Sequence, residues 1–335
     1  MIYAYRLSFY SAAHFGLEGI GQERIEHRVR SDTLWGAIIQ QWLLLYHDDP
    51  EGLCLDTPFT LSSCFPLING VPFYPLPLGA LDHLITEAGQ SEKPEISVKD
   101  LKKIHFAAEP LFRKVIRGEI LGFEELQPDA VFPFDEKQSQ TKRKGKPAYS
   151  IMQRPRLRTD QLSGGGTEGS FFYCSDQYYN ETNGLFFLAT FRNDETQKHF
   201  ESALRLLGDT GLGADRSIGR GLFSFDTSEY KMSDNPASES YLLLSLYHPT
   251  MEEVMRGILE TPGTTYSLTR RSGHAASPAV SNFRRYDVWM LEEGSVFSAK
   301  PIGDIVHVLE RSELVPHNVY RCGRAFCIPI QLKTA

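Results

Sequence analysis

Between Gly211 and Gly221 the chain sets four glycines and two arginines in eleven residues: Gly211-Leu212-Gly213-Ala214-Asp215-Arg216-Ser217-Ile218-Gly219-Arg220-Gly221. Glycine permits positive φ and close backbone approach, so main-chain N–H groups here can converge on phosphate oxygens. Arg216 and Arg220, flanking Ser217, add charge-assisted donors. No Gly-Lys-Ser/Thr closes the segment, so it is not a Walker loop. Nor is it a dinucleotide fingerprint, because the next strand follows the loop instead of preceding it. A tight surface turn with no ligand is the alternative reading.

Two further basic stretches point to an anionic ligand. From Lys137 to Arg158 there are eight basic residues and no acid, ending in Arg154, Arg156 and Arg158. Alternation on a strand puts those three on one face. Arg270, Arg271, Arg284 and Arg285 form a second patch, with no acid between Pro262 and Tyr286. Arg28, Arg30 and Ser31 precede a helix, whose N-terminal amides favour an anion. His14, with Ser31 and Arg28, could supply acid–base chemistry that needs a group titrating near neutrality. A lone histidine beside a core strand is more often structural. His317, Cys322 and Cys327 lack a fourth ligand and zinc spacing, so no metal and no cofactor is expected.

These residues sit in a chain of 335 residues, 41% apolar and 23% charged, with a net charge of -7. That mass supports packed cores and about two domains. The overall acidity excludes a generally basic coat and leaves local cationic segments on an acidic body. Five cysteines do not form a secreted disulfide framework, so a reducing cytoplasm is expected. The longest uncharged apolar stretch, Thr33 to Tyr46, is too short and polar for a bilayer, so no membrane partner is expected.

The hydrophobic pattern predicts a strand at 2–12 and a buried helix at 32–46 with Ser31 as N-cap. Asn69-Gly70 signals a hairpin within 65–78. Residues 80–130 read as mostly helical, with amphipathic stretches near 98–107 and 109–117. Residues 137–169 read as a long mobile hairpin or loop. Strands follow at 170–174 and 184–192. A helix opens at Asp194, with a Phe200, Ala203, Leu204, Leu207 stripe and a stop at Gly208; a strand at 222–225 completes the set. This order suits an antiparallel sheet with two helices on one face, the ferredoxin-like plan. After a linker at 231–238, a strand at 241–246 and a Thr250/Glu253 capping box restart the pattern. There Met251, Val254, Met255 and Ile258 form the helical stripe. Strands are expected at 264–271, 284–291, 318–321 and 325–332. The expected fold is α+β: two ferredoxin-like (RRM-like) domains, 1–230 with an insertion at about 80–168, and 236–335, plus a thumb hairpin.

The glycine-rich segment resembles the C-terminal glycine-rich loop of the RAMP superfamily, the RNA-binding subunits of CRISPR systems. His27-Arg28-Val29-Arg30-Ser31-Asp32-Thr33-Leu34-Trp35-Gly36-Ala37 resembles that family's first-helix entry. Arg158-Thr159-Asp160 with Phe171-Phe172-Tyr173 resembles its central block. Asp160-Gln161 departs from the Asp-Arg expected there, leaving one basic contact in doubt. Glu293-Gly294-Ser295-Val296-Phe297 and His317-Asn318-Val319-Tyr320-Arg321-Cys322-Gly323-Arg324-Ala325-Phe326 resemble its C-terminal blocks. Together they look like the fourth subunit of type III-A Csm interference complexes. The resemblance implies a non-catalytic subunit that clasps the 5′ handle of the CRISPR RNA and docks a large polymerase/cyclase-like subunit. It implies a backbone RAMP subunit beside it, which cuts target RNA, and a thumb that wedges where handle meets guide. A repeat-cleaving endoribonuclease and a protein-only scaffold are the alternatives.

Overall fold

The computed structural model describes residues 1–16, 26, 28–91, 96–127, 129–133, 148–159, 166–231, 240–276 and 281–331. His27, the Lys137–Lys146 charges, Asp160-Gln161 and nearly all of the expected linker lie outside the described residues.

The chain opens with β1 (Ile2–Phe9) and α1 (Ser31–Tyr46), followed by α2 (Pro50–Leu55) and β2 (Phe59–Leu61). Ser31 is the first helical residue and not the cap. Arg30 holds the cap position without a side-chain cap bond, and Ser63 Oγ accepts from the Ser31 amide at 2.8 Å. Strands β3 (Phe65–Ile68) and β4 (Val71–Pro75) flank Asn69 and Gly70, both at positive φ, as a two-residue hairpin demands. The insertion holds α3 (Asp82–Gln90), α4 (Val98–Leu101), β5 (Ile104–Ala108), α5 (Glu109–Ile116) and β6 (Val131–Pro133). The amphipathic pattern near 98–107 is therefore a short helix and then a strand, because His105–Ala108 pairs beside β4.

Strands β7 (Tyr149–Thr159) and β8 (Gly166–Tyr179) form a long antiparallel ribbon, and β9 (Gly184–Phe191) follows. Helix α6 (Asp194–Thr210) is capped by Asn193, whose Oδ1 accepts from Thr196 N at 2.8 Å. Its buried stripe is Phe200, Ala203, Leu204 and Leu207, as expected, but the helix runs past Gly208 and stops at Gly211. Then comes β10 (Phe223–Glu229).

The main sheet has the order β10-β1-β9-β3-β4-β5-β6, with β2 also on β9, and each pair is antiparallel. Period-two alternation divides its core. Tyr5, Leu7, Phe187 and Ala189 pack under α1 and α6. Ala4, Phe186 and Leu188 face the opposite layer.

The second half contains β11 (Ser240–Leu243), α7 (Met251–Met255), β12 (Leu268–Arg271), β13 (His274–Ala276), β14 (Ser281–Arg284) and β15 (Val288–Leu291). It ends with β16 (Val296–Phe297), β17 (Ile305–Leu309), β18 (Val319–Cys322) and β19 (Cys327–Ile330). β11 lies between β16 and β19, and the rest form two-stranded ribbons. Among the described residues this half holds one five-residue helix, so a repeated two-helix plan is not seen. The Thr250/Glu253 capping box is present, but Met251, Val254 and Met255 are exposed. Glu253 is what this helix buries, accepting from the amides of Ile302 at 2.7 Å and Gly303 at 3.1 Å. Leu242, Leu244, Phe326, Ile328 and Ile330 share one core with Phe65, Tyr74 and Phe186, so the two halves are packed as one body.

Candidate nucleic-acid interface

The glycine-rich loop is folded onto residues 12–14. Gly213 has φ +104°, and a Cβ there would lie 2.5 Å from the His14 carbonyl oxygen. A Cβ on Gly211 would meet the Arg220 carbonyl oxygen at 2.2 Å. Only glycine allows this closeness, which the hydrogen bonds exploit: Ala214 N to His14 O at 2.9 Å, Gly221 N to Ala12 O at 2.8 Å and Leu212 N to Gly221 O at 2.9 Å. The amides of Ile218 and Gly219 are also spent within the loop. Much of the backbone thus builds the loop itself. What faces outward is the exposed tip, Ser217-Ile218-Gly219, carried on a short 3-10 turn, with Arg216 and Arg220 half-buried on either side. Arg216 reaches toward Gln40 Oε1 on α1, at 3.5 Å.

The β7–β8 ribbon is riveted to the same place. Ala13 and Gln177 exchange both main-chain bonds at 2.8 Å. His14 is buried, and its Nδ1–H donates to the Ser175 carbonyl at 2.6 Å. Arg154 and Arg156 project from alternate positions of β7, and Arg158 follows at the same period. The Asp176 carboxylate on β8 takes Arg220 at 2.7 Å and Arg154 at 3.1 Å; Asp215 in the loop takes Arg156 at 2.7 Å. Arg154 also donates to the Tyr178 hydroxyl, with its guanidinium 5.7 Å from that ring's centroid. Partial burial pushes the Asp215 carboxyl up, but Arg156 outweighs it and holds the group below the usual range. Three guanidinium groups and two carboxylates therefore hold one another in fixed positions around the loop tip, with Arg216 beside them and positive charge in excess. This is a surface suited to phosphates, and Tyr178 adds an aromatic ring beside it.

His14, Cys174 and Asp215 bring their ligand atoms within 4.8 Å of one another, the one such group among the described residues. Burial pushes the Cys174 thiol up to about 11, so it is protonated at neutral pH. Arg156 already occupies the Asp215 carboxylate and Ser175 the His14 nitrogen, so the donors do not make a built cation site.

Three of the expected contacts at the first helix lie elsewhere. Arg30 pairs with Glu293 at 2.5 Å, Glu26 at 2.7 Å and Glu292 at 2.9 Å. Arg28 lies 3.4 Å from Glu293 and 5.8 Å from the Phe106 ring centroid. Ser31 Oγ accepts from the Leu246 amide at 2.8 Å, and Ser63 donates to Glu293. Beside them, Asp32 receives two bonds from Arg271, both 3.1 Å, and one from Arg321. Burial raises the Asp32 and Glu293 carboxyls, but the arginines outweigh it and hold both below their ordinary values. Arg28, Arg30, Ser31 and Arg271 thus lock the halves together. Arg285 Nη2 donates to the Ser272 carbonyl at 3.2 Å, whereas Arg270 and Arg284 are exposed beside Asp287, at 3.7 and 3.4 Å.

Sequence reasoning missed Asp176, Asp215, Glu292, Glu293 and the pairing roles of Asp32 and Arg321. Each acid lies far along the chain from its arginine.

Residues 18–224 match the sequence profile of the RAMP superfamily. The chain belongs to the RAMP superfamily. Residues 236–330 match the CRISPR Csm4 C-terminal domain. This RAMP chain is 25% identical over 310 residues to the CRISPR system Cms protein Csm4 of Thermococcus onnurineus, covering 90% of this chain and 92% of that one. Two solved structures share its fold. A chain of a Csm3-Csm4 subcomplex from a type III-A CRISPR-Cas interference complex gives a TM-score of 0.61 at 18% identity, over 99% and 100% of the two chains. A chain of a Csm1-Csm4 cassette in complex with cA4 gives 0.60 at 19% identity, over 100% and 99%. No helix among the described residues is long and apolar enough to cross a membrane.

Proposed function

We propose that this RAMP chain is a Csm4-type subunit of a type III-A CRISPR effector, working in the cytoplasm. It holds the 5′ handle of the CRISPR RNA between the glycine-rich loop and the β7–β8 ribbon, which serves as its thumb. It docks a large polymerase/cyclase-like subunit and a backbone RAMP subunit, and it cuts no RNA itself. Support for the partners comes from relatives solved as Csm1-Csm4 and Csm3-Csm4 assemblies. The β10-β1-β9-β3 order with α1 and α6 on one face supports a ferredoxin-like first half.

The observation that carries the reading is the cationic clamp around the Ser217–Gly219 tip. Arg216, Arg220, Arg154 and Arg156 are its phosphate donors, the side chain of Arg158 lying outside the described residues, and loop and ribbon share residues 12–14 as one footing. A single strand is held in this way by its backbone, leaving its bases free to be splayed and read. His14 lies buried under the loop and positions the ribbon through Ser175, which supports a structural role over that of a base deprotonating a ribose hydroxyl.

The test is the salt dependence of binding to a repeat-derived single-stranded RNA. Each phosphate contact adds about 0.7 to the slope of log affinity against log salt. Arg216→Ala and Arg154→Ala should each make the slope shallower by about that amount. Slopes equal to wild type in both variants remove the clamp from RNA binding.

A further inference from the structure

The β12–β15 ribbon has two unlike faces. Its inner face is fixed: Arg271 is tied to Asp32, and Val288 and Met290 are buried. Its outer face presents Trp289, 60% exposed, directly across the strands from the exposed Arg270. Tyr286 and Arg284 extend that exposed surface toward the ribbon's tip. Cross-strand partners hold their Cβ atoms about 5 Å apart, so an indole and a guanidinium share one small platform. An indole left in water on a rigid strand has no packing role in this chain. The other two tryptophans, Trp35 and Trp42, are each only 3% exposed.

We infer that Trp289 and Arg270 form a second RNA subsite, a platform on which an unpaired base stacks while Arg270 and Arg284 meet the adjoining phosphates. This rests on the reading of the chain as an RNA-holding subunit and adds to it a base-recognising face outside the clamp. Charge selects the occupant. Asp287 is the one acid touching Arg270 and Arg284 among the described residues, so the platform stays cationic on a chain of net charge -7. Base stacking on aromatics and guanidinium planes needs no particular base, which suits a strand held chiefly by its backbone.

Tryptophan emission reads the site directly, because the exposed indole is Trp289. The full chain is titrated with an unlabelled oligoribonucleotide of its host's repeat sequence. Saturable quenching is expected in the wild type. Trp289→Ala should weaken binding about tenfold at unchanged salt slope, since stacking involves no phosphate. Trp289→Phe should keep the affinity and lose the quenching. Arg270→Ala should make the slope shallower by about 0.7. RNA binding that depends on Arg216 but leaves the emission and the Trp289→Ala affinity unchanged overturns the platform and spares the clamp. Quenching that appears only when a partner protein is added overturns it in favour of a protein contact. Quenching by RNA with no effect of Arg216→Ala keeps the platform and removes the clamp.

Discussion

Two arginine–carboxylate assemblies in this molecule use the same chemistry for opposite ends. Between the halves, Asp32 and Glu293 are enclosed with Arg271, Arg321, Arg30 and Arg28, and that charge is consumed inside. At the glycine-rich loop, buried Asp176 and partly buried Asp215 anchor Arg220, Arg154 and Arg156, whose guanidinium groups stay partly exposed, and Arg216 lies beside them with Gln40. The lesson is that burial, not the density of arginine, decides whether a cationic motif is a lock or a grip. A buried pair loses its hydration and is valuable only while intact. Arginines that stay partly exposed keep their remaining N–H groups for a ligand.

The largest expected effect is at the lock. Glu293→Ala leaves Arg30 buried with less compensation and should cost about 3–5 kcal/mol, read as a lower midpoint in urea unfolding. The salt slope for RNA should be unaltered in the protein that remains folded; a changed slope would make the lock part of the RNA site. Acid gives the next effect. The Asp32 and Glu293 carboxyls sit below their ordinary values when folded, so their contribution is complete above the ordinary carboxylate range and fades as pH falls through and below about 4. Unfolding midpoints measured from pH 7 to pH 3 should fall, and Asp32→Asn should flatten the fall. An unaltered acid profile in that variant would show that these pairs do not set acid stability. The smallest effect is at the grip. Asp176→Asn releases Arg220 and Arg154 from their shared anion and should raise affinity for scrambled RNA about threefold while steepening the salt slope. Equal affinity in both proteins would mean that Asp176 only builds the ribbon.

Much of the first half was legible because its signals are local. Asn69-Gly70 fixes a hairpin through positive φ, and the Phe200 to Leu207 stripe fixes a helix through its period. Residues 98–107 misled because a short strand and a helix share apolar residues at that length, and pairing with β4 decided between them. Met251, Val254 and Met255 misled because a five-residue helix can be held by its cap and by a buried Glu253, without an apolar face. At the site, the glycines announced a tight loop, and close backbone approach explains Gly211, Gly213 and Gly221, with Gly213 set against His14. The division of arginines was illegible: Arg30 and Arg154 look alike along the chain, and only acids distant in sequence tell them apart.

The sealed start of α1 bears on how the chain is made. Apart from Glu26, Asp32 and Arg30 find their counter-ions at residues 271, 292, 293 and 321, all made long after the helix. Before those residues emerge from the ribosome, that helix end still faces water, with Glu26 alone among these acids on hand for Arg30. The final fold is committed only when the tail arrives, so a prematurely terminated product keeps an open, hydrated seam for proteases to find.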